Sequence, residues 1–229
     1  MFKNIDRDLE ATNIFSGLVG SDTAEASQLS QTTQIINMKR TKTAYHEAGH
    51  ISFHYVFGYE CKWVKLHPKR HGSGQTKLLH GADERLCKIL TAGPSSYAKY
   101  NKLSEIEQER TFIVASRLIM TLMAGPVAEA LVGPQSLPTS LKVGIQADKG
   151  ADGDHIKTIE QFLSTFYESV PPATNLLEPV ACMLKEYLWP FVQDIASALL
   201  EQGELSGESI AKLATRYSLK EIQKLLEVD

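Results

Sequence analysis

Cysteine is scarce in this sequence, and no two cysteines form a metal-binding or redox pair. Cys61, Cys87 and Cys182 are the three cysteines among 229 residues, and none of them lies in a C-x-x-C motif. An odd number of cysteines does not fit a complete disulfide framework and favours free, buried thiols in a reducing compartment. The N-terminus mixes acidic residues among its few basic ones, and its apolar run is too short for a secretory signal. We therefore predict a cytoplasmic protein.

The sequence also lacks an excess of charge of either sign. Lys and Arg number 24 against 27 Asp and Glu, which gives a formal net charge of -3. No basic stripe with interleaved aromatic residues stands out, so we predict that nucleic acid is not a partner. The hydrophobic share of 43% is enough to bury a sizeable core.

No apolar stretch is both long and free of charge. Residues 111–133 come closest, but Arg117, Pro126 and Glu129 lie within the stretch instead of flanking it. Charged residues inside a membrane span are rare and costly. We predict a buried helix or helix pair here and no membrane span.

The chain divides by pattern into an arm and one domain. Residues 1–38 are polar without a sustained period, which predicts an N-terminal arm with at most one short helix. Residues 39–229 form the predicted domain. It begins with a helix over 41–57, where Ala44, Ala48, Ile51 and Tyr55 recur at helical spacing.

The rest of the domain is predicted to be mostly helical. Two β-prone runs, 62–66 and 75–79, flank a turn rich in Pro and Gly and predict a hairpin. The fold class is therefore mainly α (α+β), a helical domain with a small sheet. The later helices are predicted at 82–100, 105–132, 153–168, 174–202 and 206–227.

The segment "TKTAYHEAGHISFH" at 41–54 carries the clearest chemistry. His46 and His50 are four residues apart, so on a helix their imidazoles can converge on one ion. Glu47 is rotated by about 100° from His46, which suits a general base that reaches a metal-bound water. This is the H-E-x-x-H pattern of zinc peptidases. Its five residues also arise by chance, and the alternative is two ordinary surface histidines.

The other histidines are poorer candidates. His50 and His54 share the spacing, but Ile51 occupies the position of the base. Pro68 lies between His67 and His71 and argues against a shared helix. We interpret His54, His67, His71 and His80 as solvated or hydrogen-bonded histidines.

Several segments resemble one protein family. "TAYHEAGH" at 43–50 resembles the opening motif of the FtsH-type peptidases, the M41 family of zinc proteases, which normally follow an AAA ATPase module. "LMAGPVAEALVG" at 122–133 and "KGADGDHIKT" at 149–158 are similar to two later family segments, and the C-terminal "ALLEQGELSGESIAKL" to its closing helices. The resemblance covers roughly 42–213 and implies a helical, zincin-like metalloprotease domain.

The resemblance implies a set of site residues. His46, His50 and Asp154 would bind Zn²⁺, and Glu47 would activate the zinc-bound water. Glu129 matches a family glutamate near the site, where it would accept a hydrogen bond from a ligand histidine; an ion-paired helix glutamate is the alternative. His155 stays open as a rival to Asp154. Asp148 and Asp152 are interpreted as helix-start or loop carboxylates.

The resemblance to the FtsH-type peptidases suggests two alternative functions. The first is a stand-alone, ATP-independent zinc metalloendopeptidase that acts on flexible or unfolded polypeptides, because the sequence contains no P-loop. The stretch "GSGQTKLL" at 72–79 resembles the family's edge strand and would bind the substrate backbone, or else form an ordinary ribbon. The second is a non-catalytic binding or regulatory module that docks on a partner such as an AAA protease. The oligomeric state stays open, a homo-oligomer included.

Overall fold

The structure of this chain is a computed structural model. It describes residues 16–68, 72–132 and 151–226, with side chains from 30 to 224 within those ranges. The chain separates into two compact units, Met1–Lys39 and Arg40–Asp229. In the first unit the described residues are helical. All further side-chain contacts described below lie within the second unit.

The described residues are mainly helical with a small antiparallel sheet, as the sequence predicted. The three strands are β1 (Glu60–Leu66), β2 (Gly74–Leu79) and β3 (Glu204–Ser206). Single 3-10 turns occur at Gly81–Asp83, Gly93–Ser96 and Ala173–Leu176, and a π-helical segment at Leu184–Leu188. The helices are α1 (Ser16–Val56), α2 (Glu84–Thr91), α3 (Tyr97–Tyr100), α4 (Glu105–Glu109), α5 (Thr111–Val132), α6 (Ala151–Phe166), α7 (Leu177–Met183), α8 (Trp189–Gln202), α9 (Gly207–Ala214) and α10 (Leu219–Leu226).

Helix α1 is longer than the sequence pattern indicated. We predicted a helix over 41–57 and at most a short helix before it, but α1 begins at Ser16. The side chains from 30 to 40 are almost all exposed. The few apolar residues here, such as Ile35 and Met38, are exposed and form no sustained helical period, so periodicity could not reveal this extension. Residues 1–15 of the predicted arm lie outside the described part of the chain.

The C-terminal half of α1 packs closely against α5. Ala44, Ala48 and Ile51 are fully buried, as their spacing predicted. A Cβ atom on Gly49 would come within 2.3 Å of the Ala124 carbonyl oxygen and 2.8 Å of the Ala128 Cβ. Gly49 therefore lets the two helix backbones approach each other, which accounts for a residue that costs about 1 kcal/mol inside a helix.

The sheet has the strand order β2-β1-β3, so β1 is central. Both pairs are antiparallel, and Val64 of β1 lies opposite Thr76 of β2 and Leu205 of β3. Within the ranges that the structure describes, β2 pairs with β1 along one side only. The predicted hairpin is confirmed, and β2 forms an edge of the sheet.

Helix α5 contains most of the apolar stretch at 111–133 that resembled a membrane span in the sequence. It is long and apolar enough to cross a membrane by length and composition, and 61% of its most apolar window is buried within the protein. Pro126 lies inside the helix without ending it. The same helix supplies several groups that contact His46 and His50, as described below.

The cysteines are free thiols, in agreement with their odd number. Cys61 and Cys87 are buried, whereas Cys182 is exposed, so the expectation of buried thiols holds for two of the three. Burial raises the pKa of both Cys61 and Cys87 to about 12. Thiols of this kind stay protonated and pack as small apolar side chains.

Candidate metal site

Helix α1 brings the H-E-x-x-H residues to one end of the protein core. His46 and His50 lie one turn apart, with ring centroids 4.8 Å from each other and planes inclined by 82°. His50 and Glu47 are each only 7% exposed. The structure therefore contradicts the alternative of two ordinary surface histidines, because one of the pair is buried and the rings are in contact.

Asp152 of α6 completes a group of three ligand-type side chains. Its Oδ2 atom lies 3.0 Å from His46 Nε2 and 3.2 Å from His50 Nε2. The three ligand atoms lie within 4.8 Å of one another. A tetrahedral zinc site with ligand distances of about 2.0 to 2.2 Å separates its ligand atoms by roughly 3.3 Å. The spacing of this group could therefore hold a metal ion.

The Nδ1 atom of each imidazole donates a hydrogen bond to another group of the protein. His50 Nδ1 lies 2.7 Å from the backbone oxygen of Thr121, which can only accept a hydrogen bond. His46 Nδ1 lies 3.3 Å from Glu129 Oε2 in the same way. Both contacts place the proton on Nδ1 and leave the Nε2 lone pair for a ligand bond, the arrangement typical of metal-bound histidines.

The two Nε2 atoms and Asp152 Oδ2 lie so close together that a positive charge between them is favourable. If both histidines were neutral, two Nε2 lone pairs would face the carboxylate of Asp152 without a hydrogen between them. Burial alone would lower the pKa of His46, but its hydrogen bonds to Asp152 and Glu129 outweigh burial and raise that pKa to about 10. The neighbouring histidines hold the pKa of Asp152 well below its usual range against the opposing effect of burial. A cation, either a proton or a metal ion, is thus favoured at this point.

Gly125 of α5 provides the space for the two imidazoles. A Cβ atom on Gly125 would lie 2.4 Å from His50 Nε2, 2.5 Å from His50 Cε1 and 3.0 Å from His46 Cδ2. Thr121, Gly125 and Glu129 follow one another at intervals of four residues and lie on one face of α5. On this face the Thr121 carbonyl and the Glu129 carboxylate accept hydrogen bonds from the two histidines, and Gly125 leaves room for their rings. These contacts hold the two Nε2 atoms in positions that suit a metal ion.

The carboxylate beside the histidines is Asp152, not the predicted Asp154. Asp154 is exposed, and its backbone oxygen accepts a hydrogen bond from Thr158. Residues two apart on a helix point about 160° away from each other, so Asp152 and Asp154 cannot face the same ion once α6 begins at Ala151. His155, the rival candidate, is also exposed. Asp152 is in the first turn, as predicted, but it also contacts both histidines.

Glu129 lies where the resemblance implied. Its Oε2 atom contacts His46 Nδ1, and this hydrogen bond is the main cause that lowers the pKa of Glu129. A carboxylate at this position fixes the ring orientation of the imidazole and makes its other nitrogen a stronger ligand.

Glu47 lies beside the histidines but does not belong to the group of three. Its Oε2 atom accepts a hydrogen bond from the hydroxyl of Thr76 on β2. The backbone of Gly74 is close to its other oxygen, because a Cβ atom there would lie 2.5 Å from Glu47 Oε1. Thr76 could not be predicted as a partner of Glu47, because a contact between a helix and a strand 29 residues away has no local sequence pattern.

The remaining described histidines are hydrogen-bonded or half-buried, in line with their interpretation. His54 Nε2 lies 3.1 Å from the backbone oxygen of Leu79, and His80 Nδ1 lies 3.2 Å from Glu84 Oε2. The rings of His54 and His80 meet edge to face at 4.9 Å. His67 is half-buried. His71 and Asp148 lie outside the described residues.

Acid should destabilise the protein through His54, which is 1% exposed. Burial, together with the charge of His80, lowers the pKa of His54 from 6.5 to about 3. Between these values the unfolded chain binds a proton that the folded protein does not, so the free energy of unfolding falls as the pH falls. From about pH 7 to about pH 5 we expect His54 to account for a loss of about 2 kcal/mol.

Urea unfolding of the wild type and of His54→Gln at both pH values measures this loss. The variant removes the titrating group and keeps a hydrogen-bond donor for Leu79, so it should lose about 2 kcal/mol less on acidification than the wild type. Equal losses in the two proteins would contradict the assignment to His54.

His46, His50 and Asp152 thus form a group that could hold a metal ion. Two imidazole nitrogens and one carboxylate oxygen suit zinc and several other divalent transition metals. Comparison with protein families and with curated proteins finds no match for this chain.

Proposed function

We propose that this chain is a zinc metalloendopeptidase that hydrolyses peptide bonds in flexible or unfolded polypeptides, with Glu47 as general base. His46, His50 and Asp152 would bind the zinc ion, and Glu129 would orient His46. The resemblance of "TAYHEAGH" to the FtsH-type peptidases supports the reaction class. The proposal replaces Asp154 with Asp152 as the third ligand.

One observation carries the proposal. The Nε2 atoms of His46 and His50 both face Asp152 Oδ2, at 3.0 and 3.2 Å, while their Nδ1 atoms are committed elsewhere. Among the residues that the structure describes, three side chains form the group, and a site with three protein ligands keeps a fourth position open, as catalytic zinc sites do. A structural site would fill that position with a fourth side chain.

Bound zinc would supply a Lewis acid that polarises the substrate carbonyl and makes water acidic enough to react near neutral pH. Glu47 would take a proton from the attacking water at Oε1 and deliver it to the nitrogen of the leaving amine. The water oxygen would form its bond to the carbonyl carbon as Glu47 takes the proton, and the C–N bond would break as that proton reaches the amine nitrogen, so that one water molecule is consumed for each peptide bond. Because Glu47 is 7% exposed, bulk water does not compete strongly for its carboxylate.

The edge strand β2 offers a place for the polypeptide. Among the described residues β2 has a partner on one side only, and its Thr76 contacts Glu47. An extended substrate that adds to this edge would make main-chain hydrogen bonds without depending on its side chains. Such binding favours an unfolded or flexible segment, because the main-chain groups of a strand inside a folded sheet are already paired.

The test combines metal content with hydrolysis. Elemental analysis of the purified protein should find about one zinc per chain in the wild type and in Glu47→Gln, since Glu47 is not a ligand. Cleavage of a fluorescently labelled, chemically unfolded protein without ATP should be lost in Glu47→Gln by about 100-fold or more. Glu168→Gln, which alters an exposed glutamate, is the matched control and should retain full activity.

The two functions considered from the sequence predict different results. Zinc binding without hydrolysis in the wild type would leave the non-catalytic module, which docks on a partner such as an AAA protease, as the better description. No bound metal after incubation with zinc would reject the peptidase. The free thiols favour the cytoplasm as the compartment in which to look for substrates.

A further inference from the structure

Two residues of β2 enclose the carboxylate of Glu47. The Thr76 hydroxyl donates a hydrogen bond to Glu47 Oε2. On the other side, the backbone of Gly74 is so close that a Cβ atom would lie 2.5 Å from Oε1 and 2.8 Å from Cγ of Glu47. The carboxylate therefore has a hydrogen-bond donor on Oε2, and the missing side chain of Gly74 leaves room for Oε1.

The position of these two residues is fixed by the sheet. Residues two apart on a strand point to the same face, so Gly74 and Thr76 both face α1. In the antiparallel register Gly74 lies opposite Leu66, and Thr76 lies opposite Val64. Both partners on β1 are buried, and Val64 is fully so. The hydroxyl of Thr76 thus projects from a strand that is anchored to the core.

A fixed hydrogen bond matters for a glutamate in this role. The terminal torsion of a glutamate side chain has a broad, weakly defined minimum, so the carboxylate alone would rotate. A hydrogen bond to Oε2 stops that rotation and presents Oε1 in one orientation. A small misplacement of a catalytic group costs a large factor in rate.

We propose that Thr76 is a positioning residue for Glu47: its hydroxyl selects Oε2 as the anchored oxygen and leaves Oε1 as the oxygen that exchanges protons. The kinetic part of this inference rests on the proposed peptidase function. The orientation of the Glu47 carboxylate is a property of the protein in any case and is measured separately.

The experiment compares Thr76→Val, Thr76→Ser and Thr91→Val in the full chain. Valine keeps the shape and the β-propensity of threonine and removes the donor, whereas serine keeps the donor. Thr91→Val is the matched control, because within the described part of the chain it removes a hydroxyl that bonds to the backbone oxygen of Cys87 on α2, away from Glu47. Carboxyl ¹³C NMR of protein labelled at glutamate identifies the Glu47 signal by its loss in Glu47→Gln.

The expected result has two parts. The Glu47 carboxyl signal should move in Thr76→Val and return to the wild-type position in Thr76→Ser, with zinc content unchanged in both. In the cleavage assay kcat should fall by about 10- to 100-fold in Thr76→Val with KM nearly constant, and serine should restore most of it. Thr91→Val should match the wild type in both measurements.

An unmoved Glu47 signal in Thr76→Val overturns the inference, whatever the activity. A moved signal with unchanged kcat overturns the catalytic part and leaves the proposed function standing. If the wild type cleaves nothing, the proposed function fails, but the NMR comparison still decides whether Thr76 orients Glu47.

Discussion

Asp152→Ala should lose bound zinc, whereas Asp154→Ala should keep it. Asp152 supplies the carboxylate that contacts both histidines, and Asp154 is exposed on the opposite side of α6. Removal of one of three protein ligands should weaken zinc binding by well over about 100-fold, more than the loss of a group that only supports a ligand. Peptide hydrolysis should be lost with the metal.

The two aspartates form a matched pair for this measurement. Both lie in the first turn of α6 and favour its N-terminus, so their replacement by alanine costs helix stability to a similar extent. Zinc affinity, determined by competition with a coloured chelator, then reports the ligand role alone. Zinc loss in Asp154→Ala with retention in Asp152→Ala would contradict the geometry and restore the ligand that the family resemblance implied.

Gly125→Ala should also abolish zinc binding, because the added methyl group would clash with the imidazole of His50. The new Cβ atom would lie 2.4 Å from His50 Nε2, a distance that no real contact shows. The imidazole is the end of a side chain and can move, so the histidine should turn away and the fold should persist. The substitution even raises helix propensity by about 1 kcal/mol.

Gly49→Ala provides the contrast for Gly125→Ala. Its Cβ atom would lie 2.3 Å from the backbone oxygen of Ala124, which cannot move without shifting α5. We expect Gly49→Ala to lower the free energy of unfolding by about 1 to 3 kcal/mol, whereas Gly125→Ala should not lower it in metal-free protein. Urea unfolding in the presence of a chelator measures both. Normal zinc binding by Gly125→Ala would disprove the steric argument.

Local patterns predicted that two side chains of the candidate site lie together. His46 and His50 could be paired from the sequence because residues four apart on one helix face the same side, and this relation does not depend on the rest of the fold. Glu129 came only from the family resemblance, and the structure places it against His46. The hairpin was recognisable from its turn residues, and the later helical regions from their periods. Their boundaries were partly wrong, because the predicted helices 82–100, 105–132, 174–202 and 206–227 are each divided into shorter elements in the structure.

The carboxylate that joins the two histidines could not be predicted from the sequence in the same way. The choice among Asp152, Asp154 and His155 depends on where α6 begins and how it is rotated, since each residue turns the side chain by about 100°. That rotation is set by packing, as Gly153, Ile156 and Ile159 are buried. The family motif placed the ligand two residues later. For the same reason the contact between Thr76 and Glu47 had no signal in the sequence.

The separation of the ligands along the chain has a consequence for synthesis. His46 and Asp152 are 106 residues apart, and α5, which supports both histidines, lies between them. At translation rates of about 5 to 20 residues per second, the ribosome makes the H-E-x-x-H helix roughly 5 to 20 s before it makes Asp152. A growing chain would therefore carry the proposed general base and two of the proposed ligands without the third. If the chain is a peptidase as proposed, hydrolytic capacity would arise only after Asp152 has been synthesised, and the shorter nascent polypeptide would be protected from cleavage.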